Sequence, residues 1–284
     1  MDRSSSTSAD AAAGRPVPAT PRPAATVIVV RDGEDGRPET FMVRRDPRAR
    51  FAADAFVFPG GAVNEDDKLA GGAPPCSGLT RSEAHARLTD RGGDPPADPA
   101  ESIGLHVAAV RELFEEAGIL LARQLDGRGD GMLSPETCAT LAALRPEIQP
   151  GERQLGELVA ELGLELVPEE LIYFSHWITP ESSPRRFDTR FFMIEDRPGQ
   201  TASHCGVETV DGVWITPAEA LRRFEAGEIT LVSVTVDHLR VLRHYASTAD
   251  LLAFARSKPI RSVKARRDHR FREDWDLGAG GAPW

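Results

Sequence analysis

The sequence predicts an α/β chain, and three observations point there. A β-branched run, A-A-T-V-I-V-V from Ala24 to Val30, reads as a buried strand. The stretch from Ile103 to Leu121 carries the i, i+3, i+4 rhythm of one amphipathic helix. Three later strand-like segments, the last ending at Ile215, lead into a helix that opens T-P-A-E.

The 284 residues are 40% hydrophobic and 27% charged, an ordinary globular balance with ample material for a core. A formal net charge of −10 argues against nucleic acid as a partner. It also means that an anionic substrate needs local cations, a metal or arginines, to approach. No run of about 18 apolar residues is present, so no membrane span is expected. Cys76, Cys138 and Cys205 are far apart and form no C-x-x-C pair. That spacing favours neither a zinc knuckle nor a disulfide framework, and it fits a reducing, cytoplasmic setting.

Residues 1–24, rich in Ser, Ala and Pro and lacking a secretory apolar core, are expected to be a disordered tail. After the first strand, R-D-G-E-D-G-R-P makes a turn and Glu39 to Arg44 returns as a second strand. The basic loop that follows carries Arg44, Arg45, Arg48 and Arg50, either a solvated edge or an anion-binding one. In F-V-F-P-G-G-A-V (Phe56 to Val63), Pro59 ends a strand, and Gly60-Gly61 can aim backbone N–H groups at a phosphate. Residues 68–100 read as an insertion looping away from the core, with one short helix from Thr80 to Leu88. Residues 124–167 read as a second, helical insertion, with helices over Pro135–Leu144 and Gly151–Leu162.

Leu171–Thr179 and Arg185–Ile194 read as strands. Alternation puts Arg186, Asp188 and Arg190 on one side, where the arginines either grip a phosphate or pair with Asp188. Val207–Ile215 reads as the final core strand. Thr216, Pro217 and Glu219 then form a capping box at the start of a helix. Thr235–Arg256 reads as one longer helical region with His238, Leu242 and Tyr245 facing inward, and 257–284 as a tail.

The central helix concentrates the chemistry. Val107, Val110, Phe114, Ala117 and Leu121 form its apolar stripe, and Glu112, Glu115 and Glu116 fall opposite. Three carboxylates within one turn repel one another. A hard divalent cation, which takes oxygen ligands, would reverse that penalty. The competing reading is a solvated helix whose acids happen to cluster.

Gly61, Asp67, Arg111, Glu112, Leu113, Glu115, Glu116, Gly118 and Ile119 together resemble the Nudix box, G-x5-E-x7-R-E-U-x-E-E-x-G-U, with U aliphatic. The second half, R-E-L-F-E-E-A-G-I, matches at every specified position. Asp67 stands where the pattern has Glu, and a long segment is inserted between Gly61 and Arg111. With F-V-F-P-G-G before the split box, and R-R-F-D-T-R-F-F and V-E-T-V-D-G-V-W-I-T-P-A-E-A-L after it, the chain resembles the coenzyme A diphosphatase-like branch, the Nudix motif 19 proteins, from about Ala25 to Arg256.

The resemblance implies an α/β/α sandwich with a mixed β-sheet over residues 25–256. It implies Mg²⁺ or Mn²⁺ held by Glu112, Glu115 and Glu116, with Arg111 orienting a neighbouring glutamate and Gly60 and Gly61 shaping the loop beneath. Arg44, Arg186 and Arg190 are candidate substrate contacts, and Glu208 is a candidate base. The implied reaction is attack of water on a diphosphate. The substrate would be CoA or acyl-CoA, giving adenosine 3′,5′-bisphosphate and (acyl-)4′-phosphopantetheine. ADP-ribose, NAD(H) or nucleotide sugars are alternative substrates, and a silent nucleotide-binding domain is an alternative class. A homodimer is expected from the superfamily alone.

Overall fold

The computed structural model describes residues 18–49, 52–68, 76, 78–96, 98–125, 132–148 and 153–264. The expected tails at 1–17 and 265–284, Arg50 and the residues around Gly151 lie outside the described residues.

Strand β1 (Arg22–Asp32) is the axis of the sheet, and its run of β-branched residues is buried on both faces. A turn at Gly33–Gly36 leads into antiparallel β2 (Pro38–Arg45), with Val30 opposite Thr40. β3 (Ala55–Val57) pairs with β2, and β4 (Gly60–Ala62) pairs with the first half of β1, Gly61 opposite Ala25. Then come α1 (Arg81–Thr89) and the long α2 (Pro99–Ala117). A small two-stranded sheet, β5 (Ala122–Gln124) with β6 (Leu164–Leu166), brackets α3 (Pro135–Ile148) and α4 (Leu155–Glu161). β7 (Ile172–Ile178) pairs antiparallel with β8 (Phe187–Glu195), which lies parallel to β1. β9 (Thr209–Ile215) returns to β2. The chain continues through α5 (Pro217–Glu225), β10 (Thr230–Leu231), α6 (Ser233–Leu242), α7 (Thr248–Ser257) and β11 (Ser262–Lys264).

The main sheet is therefore mixed, in the order β10-β3-β2-β1-β8-β7-β11, with β4 alongside β1 and β9 alongside β2. Alternation along β1 separates two cores. Val27 and Val29 pack with α2, α1 and the α3–α4 unit. Ile28 and Val30 pack with α5, α6 and α7. The result is the expected α/β/α sandwich.

Several expectations are corrected. The first insertion does not loop away: Leu79, Ala84 and Leu88 are buried in the same core as α2. A capping box between Thr80 and Glu83 starts its helix. The central helix begins earlier than Ile103, at Pro99 behind the Asp98 cap. It stops at Gly118, whose φ of 74° turns the chain left-handed, so Leu121 is core but not helix. Thr216 caps α5, yet the Glu219 carboxylate turns to Arg222 and Arg223, so that capping box is half formed. Thr235–Arg256 is two helices, because Ser247 caps a new start at Thr248. The strand ending at Ile215 is not the last: β10 and β11 join the main sheet, so order extends past residue 256, and Arg22–Ala24 likewise belong to β1 and not to a tail.

Lys258, 2% exposed, anchors that C-terminal extension. Burial, with Arg91 nearby adding repulsion, pushes its ammonium down from 10.5 to about 6. The folded chain therefore favours the neutral amine at pH values where the unfolded chain keeps the ammonium charged. Between those two values the unfolded state binds the extra proton, so stability rises with pH through that window. Lys258→Met should raise the urea unfolding midpoint at pH 7 and reduce the wild-type gain in midpoint on going from about pH 6.5 to about pH 9.5. Parallel midpoint-versus-pH curves for the two proteins would contradict the assignment.

Candidate active site

The acids of α2 lie where its C-terminal half crosses β4. Arg111 is the centre of their contacts. Its Nε and Nη2 donate to the two Asp67 oxygens at 2.9 and 3.0 Å. Nη1 donates to Glu112 Oε1 at 2.8 Å and Glu115 Oε1 at 3.2 Å, and Nη2 also reaches the Ala62 carbonyl at 2.9 Å. Asp67 also accepts the Asn64 N–H at 2.7 Å, which closes the short helical turn Asp66–Lys68. Asp67, one methylene shorter than the Glu of the pattern, thus acts as the bidentate partner of Arg111.

Glu116 is oriented differently. Its Oε2 accepts the Gly60 N–H at 2.9 Å, and its Oε1 lies 4.0 Å from Arg45 Nη1. The Glu112 carboxylate rests on Gly61, where an added Cβ would fall 2.3 Å from Oε1. Glu208 occupies the exposed loop before β9, not the strand, and its charge bears on both Glu112 and Glu116.

These contacts leave the acids in electrostatic excess. Burial pushes Glu115 up to about 7, against the pull of Arg111. Burial also raises Glu112, with Arg111 opposing and Asp67 and Glu208 adding. Glu116 is raised well above the carboxylate range by burial and then by Glu112; the Gly60 N–H and Arg45 only partly compensate. Among the described residues, no three acidic, His or Cys side chains converge as a ready ligand set. The donor chemistry nonetheless fits a hard divalent cation: only carboxylate oxygens, more negative charge than Arg111 and Arg45 balance, and a rigid helix beneath.

The sequence-derived arginines are distributed otherwise than expected. Arg44 pairs with Asp54 and Asp211 at 3.6 and 4.0 Å; the guanidinium that reaches the acids is Arg45. Alternation along β2 offered the signal, since Phe41, Val43 and Arg45 share the face toward α2. Arg190, 2% exposed, is committed to Asp188 and to the Asp94 carbonyl of the first insertion. Arg186 donates to the Thr179 and Ala19 carbonyls. Arg190 thus makes the expected pairing with Asp188, whereas Arg186 holds backbone carbonyls, and the hydrogen bonds of both lead away from Glu112, Glu115 and Glu116.

A family model, the NUDT19 Nudix domain, matches residues 21–242. The chain belongs to that family. Among the relatives of this Nudix domain, acyl-coenzyme A diphosphatase NUDT19 from Gallus gallus is 32% identical over 252 residues, covering 78% of this chain and 65% of its own length. The Homo sapiens protein of the same name is 28% identical over 291 residues, covering 88% of this chain and 76% of its own. The chain thus spans just under two thirds of the length of the Gallus gallus relative. A crystal structure of a Nudix hydrolase from Alicyclobacillus acidocaldarius superposes with a TM-score of 0.59 at 27% identity, covering 82% of this chain and 96% of that one. α2 carries the R-E-L-F-E-E-A-G-I half of the box, and Gly60-Gly61, expected as a turn, lies in strand β4 against it.

The two glycines separate fold from site. A Cβ at Gly60 would meet backbone, 2.5 Å from the Ala25 carbonyl and 2.7 Å from Thr26 Cα. Gly60→Ala should cost about 1–3 kcal/mol of stability, read as a lower unfolding midpoint. The three atoms nearest to a Cβ at Gly61 would all belong to the Glu112 carboxylate. Gly61→Ala should leave the midpoint nearly unchanged while weakening Mn²⁺ binding measured by calorimetry.

Proposed function

We propose that this chain hydrolyses the diphosphate linkage of CoA or an acyl-CoA in the presence of Mg²⁺ or Mn²⁺, releasing adenosine 3′,5′-bisphosphate and (acyl-)4′-phosphopantetheine. The observation that carries the reading is the cluster of largely buried carboxylates at Glu112, Glu115 and Glu116 on one helix, with Arg111 bonded to two of them. A domain that only bound nucleotide would have no use for acids that repel one another and a polyanion as well. The names of the relatives support CoA compounds as the substrate class.

Glu112, Glu115 and Glu116 would hold the ion. When bound, it would neutralise the diphosphate oxygens and lower the pKa of a coordinated water. The other roles belong to the chain itself. Arg111 holds Glu112 and Glu115 at fixed spacing, and Asp67 fixes Arg111. Gly60 presents its N–H to Glu116 and so sets that carboxylate's rotamer. Glu208, exposed and with its charge felt by Glu112 and Glu116, is our candidate to accept a proton from the attacking water. The three free cysteines fit a reducing, cytoplasmic setting, and a homodimer is the assembly proposed for the superfamily fold.

The test is turnover of a panel (CoA, acyl-CoA, ADP-ribose, NADH and a diadenosine polyphosphate) with Mg²⁺ or Mn²⁺. CoA compounds should be hydrolysed most efficiently. Glu115→Gln and Glu116→Gln should each lower kcat by about a hundredfold or more. Preference for ADP-ribose or NADH would reassign the substrate, and no turnover of any compound would leave a silent nucleotide-binding domain.

A further inference from the structure

We propose that Arg145, from the second insertion, is a positioning residue for hydrolysis, one that locks the end of the Nudix helix to the loop carrying Glu208. The inference rests on the assignment of Glu112, Glu115 and Glu116 as the metal-holding acids.

The last carbonyls of any helix lack intrahelical partners. At the end of α2 the Gly118 N–H satisfies the Phe114 carbonyl. The Glu115 carbonyl, on the backbone of a site residue, is taken by Arg145 Nε at 3.1 Å and Nη2 at 2.9 Å. The Ala117 carbonyl accepts the Ser203 N–H at 2.9 Å. Arg145 then reaches Ser203 itself, with Nη1 to Oγ at 3.0 Å and Nη2 to the carbonyl at 2.9 Å. Gln200 adds a second clasp: it accepts the Leu120 N–H at 2.7 Å and donates to the Leu120 carbonyl at 3.0 Å. Residues 200–203 are thereby tied to the helix end, and Glu208 follows after a tight turn. In that turn Cys205 Sγ accepts the Glu208 and Thr209 N–H groups at 3.3 and 3.4 Å.

Only a guanidinium can do this. It spreads rigid, coplanar donors over three oxygens that belong to two segments far apart in sequence. Arg145 is 7% exposed, so none of these bonds competes freely with water. Gly118 makes room for it: a Cβ there would sit 2.7 Å from Nη1. The positive charge also lies at the negative end of the α2 dipole, with Glu116 among the charges it feels. Among the described residues the hydrogen bonds of Arg145 go to neutral oxygens and to no carboxylate, so its charge remains available to the acidic centre.

The test compares Arg145→Ala, Arg145→Lys and Ser203→Ala with wild type, using CoA and Mn²⁺. Arg145→Ala should lower kcat by about tenfold to a hundredfold with KM changed less than about twofold, because geometry and not substrate contact is lost. Arg145→Lys should recover part of kcat. Hydrogen exchange in Arg145→Ala should rise over residues 200–208 and the end of α2 but not over α5–α7, and Mn²⁺ affinity should fall. If Arg145→Ala does not fold, Arg145→Lys and Ser203→Ala carry the comparison, with smaller falls in kcat and the same local exchange pattern. Unchanged kcat in a folded Arg145 variant, or exchange that rises evenly along the chain, would overturn the proposal. If the wild type hydrolyses no compound of the panel, the diphosphatase reading fails instead. Exchange and Mn²⁺ affinity then decide alone whether Arg145 holds helix and loop together.

Discussion

The acidic centre stands because one guanidinium is saturated. Arg111 has five N–H donors, and Asp67, Glu112, Glu115 and the Ala62 carbonyl take all of them. Burial alone would lower its pKa, but Glu112, Asp67 and Glu115 outweigh that and raise it, so Arg111 stays charged at any working pH. A lysine could not substitute, because its ammonium cannot chelate Asp67 while also reaching two glutamates. Glu116 lies beyond this arrangement. It leans on one backbone N–H and on Arg45 at 4.0 Å, and burial and Glu112 raise it well above the carboxylate range. Among the described residues the carboxylates of this site outnumber the guanidiniums that reach them, a balance that favours a divalent ion.

The same device recurs where the insertions meet the sandwich. Arg91, from the first insertion, donates to the carbonyls of Ala255 and Lys258 at the end of α7 and of Tyr173 in β7. Arg87 donates to the Glu169 carbonyl, and Arg190 to the Asp94 carbonyl. Arg145 does the equivalent for α2. In each case a long side chain crosses from one segment to backbone carbonyls of another. The insertions are joined to the domain by polar clasps as well as by apolar contact, which explains why Leu88 and Leu79 could enter the main core.

Much of this was legible. The helix with its acids, the glycine pair and most strands follow from periodicity and turn residues, because local chemistry dictates them. The apolar face of the first insertion was harder to see. Leu79, Ala84 and Leu88 are spread through a Gly- and Pro-rich segment, and only contact with α2 makes them core. β10 and β11 are too short to show a period; their pairing with β3 and β7 is entirely tertiary. Among the arginines, composition marked a basic loop but could not tell which side chain faces α2. Arg44 and Arg45 differ only in parity, and parity becomes meaningful once the face of β2 is known. Arg145 gave no signal at all, since its partners are backbone atoms of Glu115 and Ser203.

The split box raises the question of how a motif survives such an interruption. Its two halves depend on two contacts, Gly61 with Glu112 and Asp67 with Arg111. Both require only that the chain leaving Lys68 and the chain entering α2 lie side by side. They do: a Cβ on Gly104 would sit 3.1 Å from the Lys68 side chain and 3.2 Å from Val63, so the absence of a side chain there lets the two segments close up. With the ends of the insertion pinned in this way, its length matters little, because the entropy of closing a loop grows only logarithmically. α1 offsets even that by burying Leu88 and Ala84 against α2. The insertion therefore leaves the spacing of the acids untouched while thickening the layer behind them, so the box is discontinuous in sequence but continuous in space.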